Sequence, residues 1–120
     1  MAAPGLDLTD RFRMPLVRVA ARLQRRDGKK ARILAECIVT TLAFADAQGK
    51  AAGERHGDGH PVNCQGHILR ATPEAVAFLV TTGTVLKLHG FVHDTLTAYP
   101  DLADLLPLLD VPPRPKRGGR

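Results

Sequence analysis

The sequence predicts a mostly α-helical domain of three to four helices, and three observations predict it. Apolar residues recur at helical spacing in several stretches. A strong helix-start signal stands at Thr72-Pro73-Glu74. The aromatic fraction is only 4% of 120 residues, and apolar residues make up 44%. A core must therefore be built from Leu, Val, Ile and Ala, with Phe12, Phe44, Phe78 and Phe91 as its largest pieces. The length gives one domain and one core. We assign residues 1–111 to that domain and residues 112–120 to a tail.

The first six residues read as a loose start. Leu8, Phe12, Leu16, Val19 and Leu23 then fall at spacings of four, four, three and four, one stripe of a helix. Pro15 lies inside that pattern. It lacks the amide proton that a helix interior uses, so it should kink this helix or move its start to about Met14. Asp27-Gly28 signals a stop and a turn. A second helix follows from Lys29 to about Ala47, with Ile33, Leu34, Cys37, Ile38, Thr41 and Ala45 on its apolar face and Gly49 ending it. The β-branched run Ile38-Val39-Thr40-Thr41 makes a strand the competing reading.

Residues 49–67 read as a long loop containing Gly and His, a length that usually accompanies function. A short strand is expected within Val62 to Leu69. The third helix starts at Pro73, with a weak point at Thr81-Thr82-Gly83-Thr84. The alternative fold class is α+β, with a short hairpin near residues 76–90. Pro100 ends the helical spacing. Asp101 then caps a short helix through Leu109, with Leu102, Leu105, Leu106 and Leu109 on one face. From Pro112 the chain reads Pro-Pro-Arg-Pro-Lys-Arg-Gly-Gly-Arg, whose composition cannot form a core of its own.

Charge is segregated. Residues 1–32 hold nine basic residues against three acids, residues 33–113 hold four against nine, and residues 114–120 hold four basic residues and no acid. Such ends engage either a polyanion or the acidic middle of another copy. The candidate nucleic-acid contacts are Arg18, Arg22, Arg25, Arg26, Lys29, Lys30 and Arg32, with Arg114, Lys116, Arg117 and Arg120 as a tail. Arg11, Arg18, Arg22 and Arg25 share a face of the first helix. Few aromatic residues argue against recognition by base stacking, so DNA or RNA would be held mainly through phosphates. The rival expectation is a protein-interaction adaptor or homo-oligomerisation module, a homodimer included.

Four histidines form two pairs at i,i+4 spacing, His56/His60 and His89/His93. On a helix that spacing puts two imidazoles on one face, which suits a metal. They are weak candidates, because no His-Glu-x-x-His and no paired Cys-x-x-Cys accompanies them. Asp58 near His60 and Asp94 beside His93 are the nearest approach to an acid–base pair. No phosphate-binding glycine loop, dinucleotide fingerprint or Gly-x-Ser-x-Gly is present. The expectation is a protein with no cofactor, leaning away from an enzyme. Cys37 and Cys64 are too few for a disulfide framework. No unbroken apolar run reaches the ~18 residues of a membrane span, and the N-terminus lacks a secretory pattern, so a cytoplasmic location without membrane contact is expected.

Overall fold

The computed structural model describes residues 4–59, 61–64 and 67–110. His60 and the basic tail, with Arg114, Lys116, Arg117 and Arg120, lie outside the described residues. The fold is mostly helical. Its order is α1 (Pro4–Gln24), α2 (Lys29–His56), β1 (Pro61–Cys64), β2 (His67–Arg70), α3 (Pro73–Ala98) and a 3-10 helix (Pro100–Leu109).

Helix α1 begins at Pro4, earlier than the loose start expected. Proline fits there because the first helical amides have no acceptor to lose. The helix continues unbroken through Pro15. One lost backbone bond is outweighed by burial on the same side of the chain: Pro15, Leu16, Val19 and Leu23 are all buried completely or nearly so. The amides of Arg25 and Arg26 close the last turn onto the carbonyls of Arg22 and Leu23. Gly28 then adopts φ +121°, which L side chains rarely adopt, and its carbonyl accepts from Arg32 to open α2.

Helix α2 corrects two expectations. It runs to His56, so Gly49 does not end it and the first part of the expected loop is helical. Its glycines are seats for α3. A Cβ at Gly49 would overlap the Thr81 hydroxyl and lie 2.8 Å from the carbonyl oxygen of Ala77; one at Gly53 would overlap the Pro73 carbonyl. The Thr81 hydroxyl donates to the Ala45 carbonyl across the same seam, at 3.2 Å. Cβ-less positions let the two backbones approach, and that packing offsets the entropic cost of glycine in a helix. Leu34, Ile38 and Ala45 face the core as expected, whereas Ile33 is exposed.

Strands β1 and β2 form an antiparallel hairpin, with Val62 opposite Leu69 and Asn63 opposite Ile68. The expected short strand is therefore two strands. The amide of Gly59 donates to the Ala71 carbonyl at 2.7 Å and ties the hairpin's base.

Helix α3 starts as the sequence predicts. The Thr72 hydroxyl accepts from the amide of Ala75 at 3.1 Å, and Pro73 stands in the first turn. It then passes through Thr81–Thr84 without a break, so the alternative hairpin near residues 76–90 is not formed. Weak β-branched propensity is overridden by tertiary contact. Thr82 and Val85 are buried, and the Thr82 hydroxyl meets that of Thr9 at 2.5 Å. Being continuous, α3 has the length and apolarity of a membrane-crossing helix, with a mean hydropathy of 1.5 over 18 residues, only 22% of that stretch being buried. Thr and Gly interrupt its apolar run in the sequence without making the helix polar. In the fold α3 packs against α1, α2 and the 3-10 helix.

The last element is a ten-residue 3-10 helix, long for that type. Asp101 does not cap it: Tyr99 occupies that position without a side-chain bond. Leu102, Leu105 and Leu109 are buried, and Leu106 packs partly against them. They close the core with Leu16, Val19 and Leu23 of α1, Leu34 and Ile38 of α2, and Val85, Leu88, Val92 and Leu96 of α3. The phenylalanines are not the centre of this core. Phe12 packs at its edge, while Phe44 and Phe91 are 58% and 52% exposed.

Candidate nucleic-acid interface

The cationic site is built on α1. One helical turn takes about 3.6 residues, so Arg18, Arg22 and Arg25, at spacings of four and three, project from one side. Leu16, Val19 and Leu23 bury the other. All three arginines are exposed. None forms an ion pair within the described residues. Arg11 extends the same face toward the N-terminus and is half-buried.

Arg26 and Lys30 were expected beside them as contacts, and the fold gives both other work. The Arg26 guanidinium donates to the Asp101 carbonyl at 2.9 Å and to the Asp104 carboxylate. The hydrogen bond with Asp104 raises the Arg26 pKa, and the same bond holds the Asp104 carboxyl below the ordinary aspartate value. The Lys30 ammonium donates to the Asp101 carboxylate at 3.4 Å and sits 4.3 Å from the centre of the Tyr99 ring. These two cations pin the 3-10 helix to the α1–α2 turn. Part of the charge segregation is thus satisfied within one chain, an outcome the two sequence alternatives left out.

Two clefts flank Arg26. One, of about 420 Å³, is lined by Arg22, Arg25, Arg26, Asp104 and residues of the 3-10 helix. The other, of about 330 Å³, is lined by Gln24, Arg26, Arg32 and Glu36 among others. Arg26 lies between them, so Arg22 and Arg25 open on one side of it and Arg32 on the other. Lys29 and Arg32 are exposed at the start of α2 and have no ion-pair partner among the described residues. The open cationic surface is therefore Arg18, Arg22, Arg25, Lys29 and Arg32. Arg13 is not part of it, since it makes a two-pronged pair with Asp46 at 2.7 and 3.1 Å.

The histidines do not converge. His89 Nε2 donates to the Leu109 carbonyl at 2.8 Å, and its ring stands edge-on to Phe12 at 5.1 Å. His93, one turn on, is exposed beside Asp94 at 3.7 Å. His56 is exposed at the end of α2. Among the described residues no group of three or more His, Cys, Asp or Glu side chains is placed to hold a metal ion. The His89/His93 spacing predicted a shared face, but the 3-10 helix takes the first imidazole as a structural donor.

Comparison of the chain with known protein families, with curated proteins and with solved structures finds no match.

Proposed function

We propose that this protein is a small accessory or regulatory protein that binds nucleic acid through phosphate contacts along the exposed face of α1. One observation carries the reading: Arg18, Arg22 and Arg25 stand on one side of a helix, open to solvent and without an acidic partner among the described residues. Guanidinium groups suit phosphate because their planar fork donates two parallel hydrogen bonds. Duplex DNA carries about one charge per 1.7 Å of axis, so a row of three arginines spanning about 10 Å of helix meets several phosphates. Lys29 and Arg32 extend the row across the turn. The tail, with Arg114, Lys116, Arg117 and Arg120, adds four charges by sequence. The exposed row itself is made of Arg and Lys without an aromatic platform, so the binding is directed mainly to the backbone.

Fluorescence anisotropy with labelled duplex DNA, single-stranded DNA and RNA, each across a salt series, tests this. The expected result is a linear fall of log affinity with log salt. Replacing Arg18, Arg22 and Arg25 together by Ala should flatten the slope by about 2 to 3, near 0.9 per lost phosphate contact on duplex DNA. Absence of binding at low salt overturns the proposal, and the relative affinities decide between DNA and RNA.

A further inference from the structure

The second helix has two apolar faces, and the fold covers only one. Leu34, Ile38, Ala45, Gly49 and Ala52 face the core. On the far side stand Ile33, Cys37, Thr40, Phe44, Ala47 and Ala51, at spacings of four, three, four, three and four. That alternation is the seam of a coiled coil. It runs along about 27 Å of helix. Its two large members, Ile33 and Phe44, are each 58% exposed, while Cys37 and Ala51 are half-buried and the Thr40 hydroxyl donates to the Glu36 carbonyl. Large apolar side chains left this exposed on one stripe signal association.

We infer that this face of α2 is a homodimer interface, in which the α2 helices of two copies pack antiparallel about a two-fold axis at the level of Leu42. The charges beside the seam choose the occupant and its direction. Glu36 and Lys50 lie along one edge of the stripe, both exposed and neither in an ion pair among the described residues. In an antiparallel pair the seam layers bring Ile33 opposite Ala51 of the second copy, Cys37 opposite Ala47 and Thr40 opposite Phe44. The same register brings Glu36 and Lys50, which flank the seam, within two residues of facing each other across it, twice by symmetry. A parallel pair in register would instead set Glu36 against Glu36 and Lys50 against Lys50. A surface whose charges complement their own two-fold image fits a second copy of this chain. The seam and its flanking Glu36 and Lys50 use none of the residues assigned to phosphate contact, so the inference stands whether or not α1 binds nucleic acid.

The test is the oligomeric state of the full chain without nucleic acid, by sedimentation equilibrium over a wide concentration range. The expected result is a concentration-dependent dimer, and a monomer at several hundred micromolar overturns the inference. Phe44→Arg should raise the dimer dissociation constant at least tenfold with unchanged helical circular dichroism; an unweakened dimer means the interface lies elsewhere. Glu36→Lys should weaken the dimer and adding Lys50→Glu should restore it, which keeps the test decisive if Phe44→Arg does not fold. Direction is read by cross-linking with Cys64 replaced by Ser. Oxidation of the Ala47→Cys variant should give a Cys37-to-47 disulfide between copies. A Cys37-to-Cys37 product alone excludes the antiparallel register.

Discussion

Gly49 of α2 meets Thr81 of α3 with no room for a methyl group between them. Glycine inside a helix ordinarily costs up to about 1 kcal/mol relative to alanine, so a Gly→Ala change in an open helix stabilises. At position 49 the order should reverse, because the Ala77 carbonyl oxygen lies 2.8 Å from where the new Cβ would sit. Gly49→Ala should lower the urea midpoint, by an overpacking cost of about 1–3 kcal/mol. Gly83→Ala, where nothing stands within 4 Å of the built Cβ, should raise stability by up to about 1 kcal/mol. Equal effects at the two positions would refute the close seam.

The clasp between Arg26 and Asp104 gives an acid dependence with a definite sign. The Asp104 carboxyl titrates below its ordinary value of 3.8 in the folded chain, chiefly because Arg26 donates to it. The clasp therefore contributes fully above the unfolded value and is lost as pH falls through the lower, folded value. Asp104→Asn should melt below the wild type at pH 7, and the difference should shrink toward zero as pH drops below about 3.8. A difference independent of pH would mean that the charge is not what matters.

Arg26 and Lys30 should separate from the open arginines in function. Arg26→Ala removes a structural donor and should lower the melting temperature, while Arg22→Ala should leave melting nearly unchanged, as exposed surface changes do. In the salt series the ranking inverts: Arg22→Ala should flatten the slope more than Arg26→Ala. Paired thermal melts and anisotropy titrations on the same samples read both.

Leu96 and Phe44 offer a sharper contrast between burial and hydrophobicity. Leu96 is fully buried, whereas Phe44 is largely exposed. Leu96→Ala should cost about 2–5 kcal/mol through lost transfer energy and the cavity left behind. Phe44→Ser, measured at concentrations where the chain is monomeric, should change stability by about 0.5 kcal/mol or less. A large loss from Phe44→Ser in the monomer would place that ring in the core after all.

Several local signals in the sequence carried through to the fold, although the Asp101 cap and a start of α1 near Met14 did not, and the distant relationships are not legible there. The α1 stripe, the Gly28 turn and the Thr72 cap each depend on neighbours within a few residues, and each is found in the structure. In the sequence Gly49 reads as a stop, because a glycine that ends a helix and one that admits another helix look alike until the partner is known. The same holds for the cations. Spacing alone put Arg18, Arg22 and Arg25 on one face. Nothing near Arg26 or Lys30 announced that Asp104 and Asp101, 78 and 71 residues away, would take them. Ile33 adjoins Leu34 in the sequence, and apolar spacing alone does not separate its exposed side chain from the core face that Leu34 and Ile38 form.

The seam between α2 and α3 is made of glycine, alanine, threonine and backbone carbonyl oxygen. Helices that meet through side chains can absorb a substitution by changing rotamers. Here there are few rotamers to change, so the spacing of the pair is set by the main chain itself. Close approach at Gly49 and Gly53 fixes the separation of the two helices there, and α1, which carries the cationic face, packs against both. Sequence drift in the leucine core can be repacked one residue at a time, but drift along this seam moves one face of the protein relative to the other.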